Sequence, residues 1–215
     1  MEKSTRIGIV VSASVLAALL IVPLALFAGV GLHMLRGIAA SEDQLPREEI
    51  VALAEKNRLL LEDAVAELAA MMHGLAYGSV STSEKSPVPE DAGKIKGLYR
   101  FDQENRYRPL ENETLGKAMA LEGLLSISYH AEGERFDYAD FYCGGSGVLD
   151  STTAVGFYYS PDDLPRNLMG EDDLTPCGPG RYEWQEERTP AKQGRNSYET
   201  ERILPHWYLY EISYQ

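Results

Sequence analysis

The sequence predicts an α+β protein with a single N-terminal transmembrane helix and a long amphipathic helix packed on an antiparallel β-sheet of about five or six strands. Three observations carry that expectation. Residues 7–35 contain no Asp, Glu, Lys or Arg, and roughly 20 apolar residues suffice to cross the hydrocarbon core as a helix. Residues 41–78 repeat apolar side chains every three to four positions, the period of a helix with one buried stripe. From residue 94 to the end, short segments rich in aromatic and β-branched residues are divided by Gly, Pro, Asp and Asn clusters, as in an antiparallel meander.

The apolar run is read as an uncleaved anchor. Residues 1–6 form a short polar tail, and Arg6 and Arg36 stop the run at its two ends, where basic side chains snorkel to the interface. A secretory signal has an apolar region of only ~7 to 15 residues, and Ile38 occupies a position of the nearest cleavage candidate where a small residue is wanted. Lys3, Arg6 and the free amino group on the tail compete with Arg36 and Arg47 beyond the span; the amino group tips the balance. The expected topology is therefore a single-pass cell-membrane protein, N-terminus cytoplasmic and C-terminal domain outside, with the lipid bilayer as partner through residues 7–35.

Residues 41–78 are expected as one helix on the order of 40 Å long. Asp43 or Ser41 caps it, Pro46 sits in the first turn, Glu48 and Glu49 face the positive end of the dipole, and Gly74 or Gly78 ends it. Its stripe is Ile50, Leu53, Leu60, Ala64, Leu68, Met71 and Leu75. Asn57 and Glu67 spoil the obvious heptad, which favours packing on the sheet over a coiled-coil stalk. Residues 79–93 read as a Ser- and Pro-rich loop, and 94–215 as the sheet, with 41–215 forming one globular unit. The 13 Tyr and 2 Trp, all downstream of the span, are too many rings for a chain that buries nothing.

The formal charge is −13, from 33 acidic and 20 basic side chains. That excludes a basic footprint for nucleic acid. It serves solubility, with a cation or a basic partner as the alternative reading.

The most marked segment is residues 141–165, FYCGGSGVLDSTTAVGFYYSPDDLP. Gly144, Gly145 and Gly147 follow a strand and form either a tight connection or a backbone nest for an anion. Val148 breaks the nucleophile-elbow pattern, and no Lys-Ser/Thr follows as a phosphate-binding loop needs. Asp162 and Asp163, with Asp172 nearby, make either a solvated acidic turn or an oxygen-rich metal site, although the spacing departs from the twelve-residue calcium loop. Cys143 and Cys177 either form a disulfide, closing a loop of about 35 residues worth roughly 3 to 4 kcal/mol, or remain a buried and an exposed thiol. His206, with Glu199, Glu201 and Glu211 close in sequence, is either an acid–base partner to a carboxylate, Glu201 being the candidate, or a histidine carried in a ring-rich sheet, and Trp207 is either core or a ligand platform. No cofactor motif is present, so none is expected.

The motifs FYCGGSG, VGFYYSPDD and YETERILPHWYLYE, together with the anchor-and-helix layout, resemble a family of small single-pass membrane proteins of Gram-positive bacteria. The resemblance covers residues 136–215, apart from 171–180 with Cys177. It implies a membrane-tethered globular domain and assigns no activity. Two function classes follow as expectations: a non-enzymatic extracytoplasmic binding or envelope-interaction module with a protein partner in the envelope, or a membrane-tethered hydrolase using His206 with Glu201.

Overall fold

The computed structural model describes residues 45–82, 85, 97–102, 106–148, 151–170, 173–186 and 196–214. The expected span (7–35), the tail (1–6) and Asp172 lie outside these residues. Among the described residues no helix is long and apolar enough to cross a membrane.

The expectation of one long helix on five or six strands is corrected in both parts. The described residues fold into one ten-stranded sheet, every pairing in it antiparallel, with three short helices. The long helix divides into α1 (Arg47–Lys56) and α2 (Arg58–Met72) at Asn57, whose torsions are φ −108° and ψ 15°. Its side-chain amide donates to the Leu53 carbonyl at 2.9 Å, the local competition with helix geometry typical of Asn. The break also changes which positions face inward. Ile50, Ala54, Leu61, Ala64, Val65, Leu68 and Met72 are buried, whereas the expected Leu53, Leu60 and Met71 are half-buried. The third helix, α3 (Glu113–Met119), starts at Asn112, whose side chain accepts from the Leu115 N–H at 2.9 Å.

The strands are β1 (Tyr77–Thr82), β2 (Leu98–Asp102), β3 (Tyr107–Pro109), β4 (Ser126–Glu132), β5 (Arg135–Val148), β6 (Ser151–Tyr159), β7 (Thr175–Gly178), β8 (Arg181–Gln185), β9 (Ser197–Leu204) and β10 (Trp207–Tyr214). Their order across the sheet is β3-β2-β1-β4-β5-β6-β10-β9-β8-β7. The chain grows outward from β1 to β3 and returns as the central meander β4-β5-β6. It then jumps to the far edge and works inward until β10 closes on β6. The two edge strands are the shortest, at 3 and 4 residues, and each contains a proline, Pro109 or Pro176. Short strands and a missing N–H blunt an edge against further pairing.

One face of the sheet carries the helices. Ile50, Leu61 and Leu68 belong to one apolar cluster with Val80, Ile127, Phe141, Phe157 and Trp207. The other face holds a second cluster, Tyr158, Tyr198, Tyr208, Tyr210 and Ile212, packed by Leu168, Met169 and Leu174 from the segment linking β6 to β7. Ring follows ring across this face: Tyr107 to Phe101 (4.8 Å between centroids), Phe101 to Tyr77 (6.5 Å), Tyr77 to His130 (5.0 Å), His130 to Tyr138 (4.2 Å), Tyr138 to Tyr158 (6.1 Å) and Tyr158 to Tyr208 (5.2 Å). Such offset and edge contacts add to what burial alone contributes. Burial pushes the His130 imidazole down to about 4 against the opposing pull of Asp137, so that ring is held in its neutral form.

Candidate functional site

The sequence motifs fold into structural joints. The glycine run continues β5 rather than leaving it: Gly144 pairs with Val155, Gly145 with Ala154 and Gly147 with Thr152, after a bulge between Tyr142 and Gly144. A Cβ on Gly145 would lie 2.1 Å from the Thr153 carbonyl oxygen, so close strand approach accounts for that residue.

The Ser-Pro-Asp-Asp turn after β6 brings Ser160, Asp162, Asp163 and His206 together, but not as a catalytic set. The buried Ser160 hydroxyl donates to Asp162 at 2.8 Å. His206, in the β9–β10 turn at φ +70°, places Nδ1 3.1 Å from the Ser160 backbone carbonyl and stacks on Tyr159. Arg166 bridges Asp162 (2.7 Å) and Asp137 (2.8 Å), and Arg202 binds Asp163, which also accepts the His206 backbone N–H at 2.7 Å. Against the cost of burial, these partners hold both turn carboxyls below the usual carboxylate range. Asp162 and Asp163, the two of the three candidate metal ligands that are described, are thus each committed to an arginine, and among the described residues no group of three metal-binding side chains occurs. The turn is a clasp holding the β6–β7 segment onto the sheet.

Glu201 is not joined to His206 by any bond among the described residues. It lies under the start of α1, where it pairs with Arg47 and lies 3.5 Å from Arg181. Trp207 is fully buried against Phe141, Phe157 and Tyr159, with an indole N–H that has no hydrogen-bond partner among the described residues, and offers no ligand platform. Of the two readings of the cysteines, the structure has the buried and the exposed thiol. Both thiols are free, Cys143 buried in β5 and Cys177 exposed in β7. Five strand positions at about 4.8 Å each separate them, against a Cα limit near 7 Å for a bridge.

Two arrangements escaped the motif search because the topology, not sequence proximity, assembles them. The first is a buried acid. Asp140 faces the ring-lined side of the sheet, receives a hydrogen bond from Tyr210, and has a buried Oδ1 with no partner among the described residues. Burial pushes its carboxyl up to about 7.

The second is a cleft of about 280 Å³ between the start of α1 and strands β8, β9 and β10. Ile50, Val155 and Leu209 supply apolar surface, with Leu45 at the N-terminal side of α1. Register puts Arg181, Glu201 and Leu209 in one row across the three strands, and Glu183, Glu199 and Glu211 in the next. Arg181 also approaches Glu199, at 3.6 Å. The cleft thus combines apolar surface, two guanidiniums and carboxylates.

An antiparallel-sheet domain with a charged cleft beneath its first helix is the class that fold and site define. No protein-family model, curated protein or solved structure matches the chain.

Proposed function

We propose that the chain is a single-pass membrane protein carrying a non-enzymatic binding module outside the cell membrane, related to the membrane-tethered proteins of Gram-positive bacteria whose motifs it resembles. The cleft carries the binding half of this reading: it is an open recess with apolar surface and ionised groups of both signs, the lining that orients a small ligand or the side chain of an envelope partner. The serine, histidine and aspartates of the β6 turn are spent on one another and on arginines, which weighs against an acid–base centre there.

The membrane half rests on the uncharged run of residues 7–35 and its flanking arginines. Sedimentation after an alkaline carbonate wash tests it. The full-length chain is expected to stay with the membrane pellet; release into the supernatant contradicts the anchor.

A further inference from the structure

We infer that the cleft between α1 and strands β8 to β10 binds a small organic ammonium ion of single positive charge with an apolar body. This rests on the binding-module reading and names the ligand class of that site.

The argument begins with charge. Arg47, Arg181, Glu199, Glu201 and Glu211 line the recess and together carry one net negative charge. They are unevenly placed. Arg47 pairs with Glu201, and Arg181 lies between the two rows, 3.5 Å from Glu201 and 3.6 Å from Glu199. In the next row Glu199 and Glu211 stand directly opposite each other on β9 and β10, and Glu183 stands opposite Glu199 on its other side. Like charges directly paired across strands are destabilising. Two guanidiniums thus face three carboxylates, and the one left over is Glu211, with which no cation pairs among the described residues. One ammonium group set between Glu199 and Glu211 relieves that repulsion and brings the lining to neutrality. An anion finds both guanidiniums engaged and two carboxylates beside it.

Carboxylates alone would be a solvated patch. Here the register sets the apolar Leu209 one row from Glu211, with Val155 and Ile50 beside it, and about 280 Å³ of space above them. The recess therefore accepts a ring or short alkyl body while the ammonium head meets the glutamates. Its size is at the lower end of small-molecule sites.

The test titrates the full-length chain in phosphatidylcholine nanodiscs, with empty nanodiscs as control, against three isosteric probes: phenethylammonium, 2-phenylethanol and 3-phenylpropionate. Saturation-transfer NMR and calorimetry read the binding. Phenethylammonium is expected to bind about tenfold or more tightly than the alcohol, with an affinity that falls as salt rises, and the carboxylate is expected not to bind. Glu211→Gln and Glu199→Gln each lower the cation's affinity about tenfold without lowering the melting temperature, since both side chains are exposed and each change removes a like-charge pair. Equal binding of the alcohol overturns the ammonium assignment and leaves the cleft as a binding site. Binding unchanged in both glutamine variants places the cation elsewhere and overturns it too. No binding by any probe overturns both the assignment and the cleft's role in the proposed module.

Discussion

Tyr210 donates a hydrogen bond to Asp140 across the intervening strand β6, and Gly156 is the residue it passes. A Cβ at position 156 would lie 2.7 Å from the Tyr210 hydroxyl and 2.4 Å from the Phe141 carbonyl oxygen, so no side chain fits there. Ser128 and Tyr158 stand opposite Asp140 on the neighbouring strands, and Tyr138 and Tyr142 flank it on its own. None of these side chains carries positive charge. The carboxyl is therefore easiest to hold in its neutral form, and the buried tyrosines around it keep their protons: burial raises Tyr138, Tyr142, Tyr158 and Tyr210 alike.

This makes Asp140 a source of pH-dependent stability. Its folded-state value, about 7, lies above the ordinary 3.8, so folding favours the protonated acid. The contribution is fully present below about pH 4 and is lost as pH rises through about 7, a swing on the order of 4 kcal/mol. Asp140→Asn removes the titration. Thermal melts of the variant and the parent are expected to converge at pH 4 and to separate by several degrees at pH 8, the variant being the more stable. A constant difference across that range contradicts the assignment.

Arg166 ties the β6–β7 segment down through two carboxylates at once, with only 16% of its side chain exposed. Arg166→Ala is expected to destabilise by about 2 to 3 kcal/mol in urea unfolding, because Asp137 and Asp162 lose a charged partner together. Arg166→Lys recovers little, since an ammonium cannot present the guanidinium's fork to two acceptors. Full recovery by lysine would show that charge alone matters there.

The helical face is tested by two leucines of α2. Leu68 is fully buried, and Leu59 is 72% exposed. Leu68→Ala is expected to cost about 2 to 5 kcal/mol, and Leu59→Ala less than about 0.5 kcal/mol. Similar costs for both would mean that α2 lies on the sheet in a different rotation.

What the sequence made legible was its strongest periodicity and its longest strands. Phe141, Phe157 and Trp207 stand in segments whose rings and β-branched residues already read as strands. The stripe through Ile50, Ala64 and Leu68 read correctly at those positions, but Asn57 reset the phase between them, a one-residue event that a period of 3.6 averages away. The sheet was undercounted where strands are short or poor in strand formers: Tyr77–Thr82 is mostly Gly, Ser and Thr, and Tyr107–Pro109 and Thr175–Gly178 carry the prolines that mark protected edges. The residues of the candidate site were harder still. Arg47 reaches Glu201 across 154 positions, a proximity that no local pattern encodes. Asp140 looked like any acidic residue in a strand until the register surrounded it with tyrosines.

The proposed topology has a built-in reporter. Cys177 is exposed on the edge strand β7, while Cys143 is buried and its thiol is pushed far above the usual range by that burial and by Asp140. A membrane-impermeant maleimide applied to intact cells expressing the full-length chain is therefore the most direct test of a domain held outside the membrane. The account predicts labelling on Cys177 alone, abolished by Cys177→Ser. Labelling that appears only after the cells are lysed would place the domain on the cytoplasmic side and contradict it.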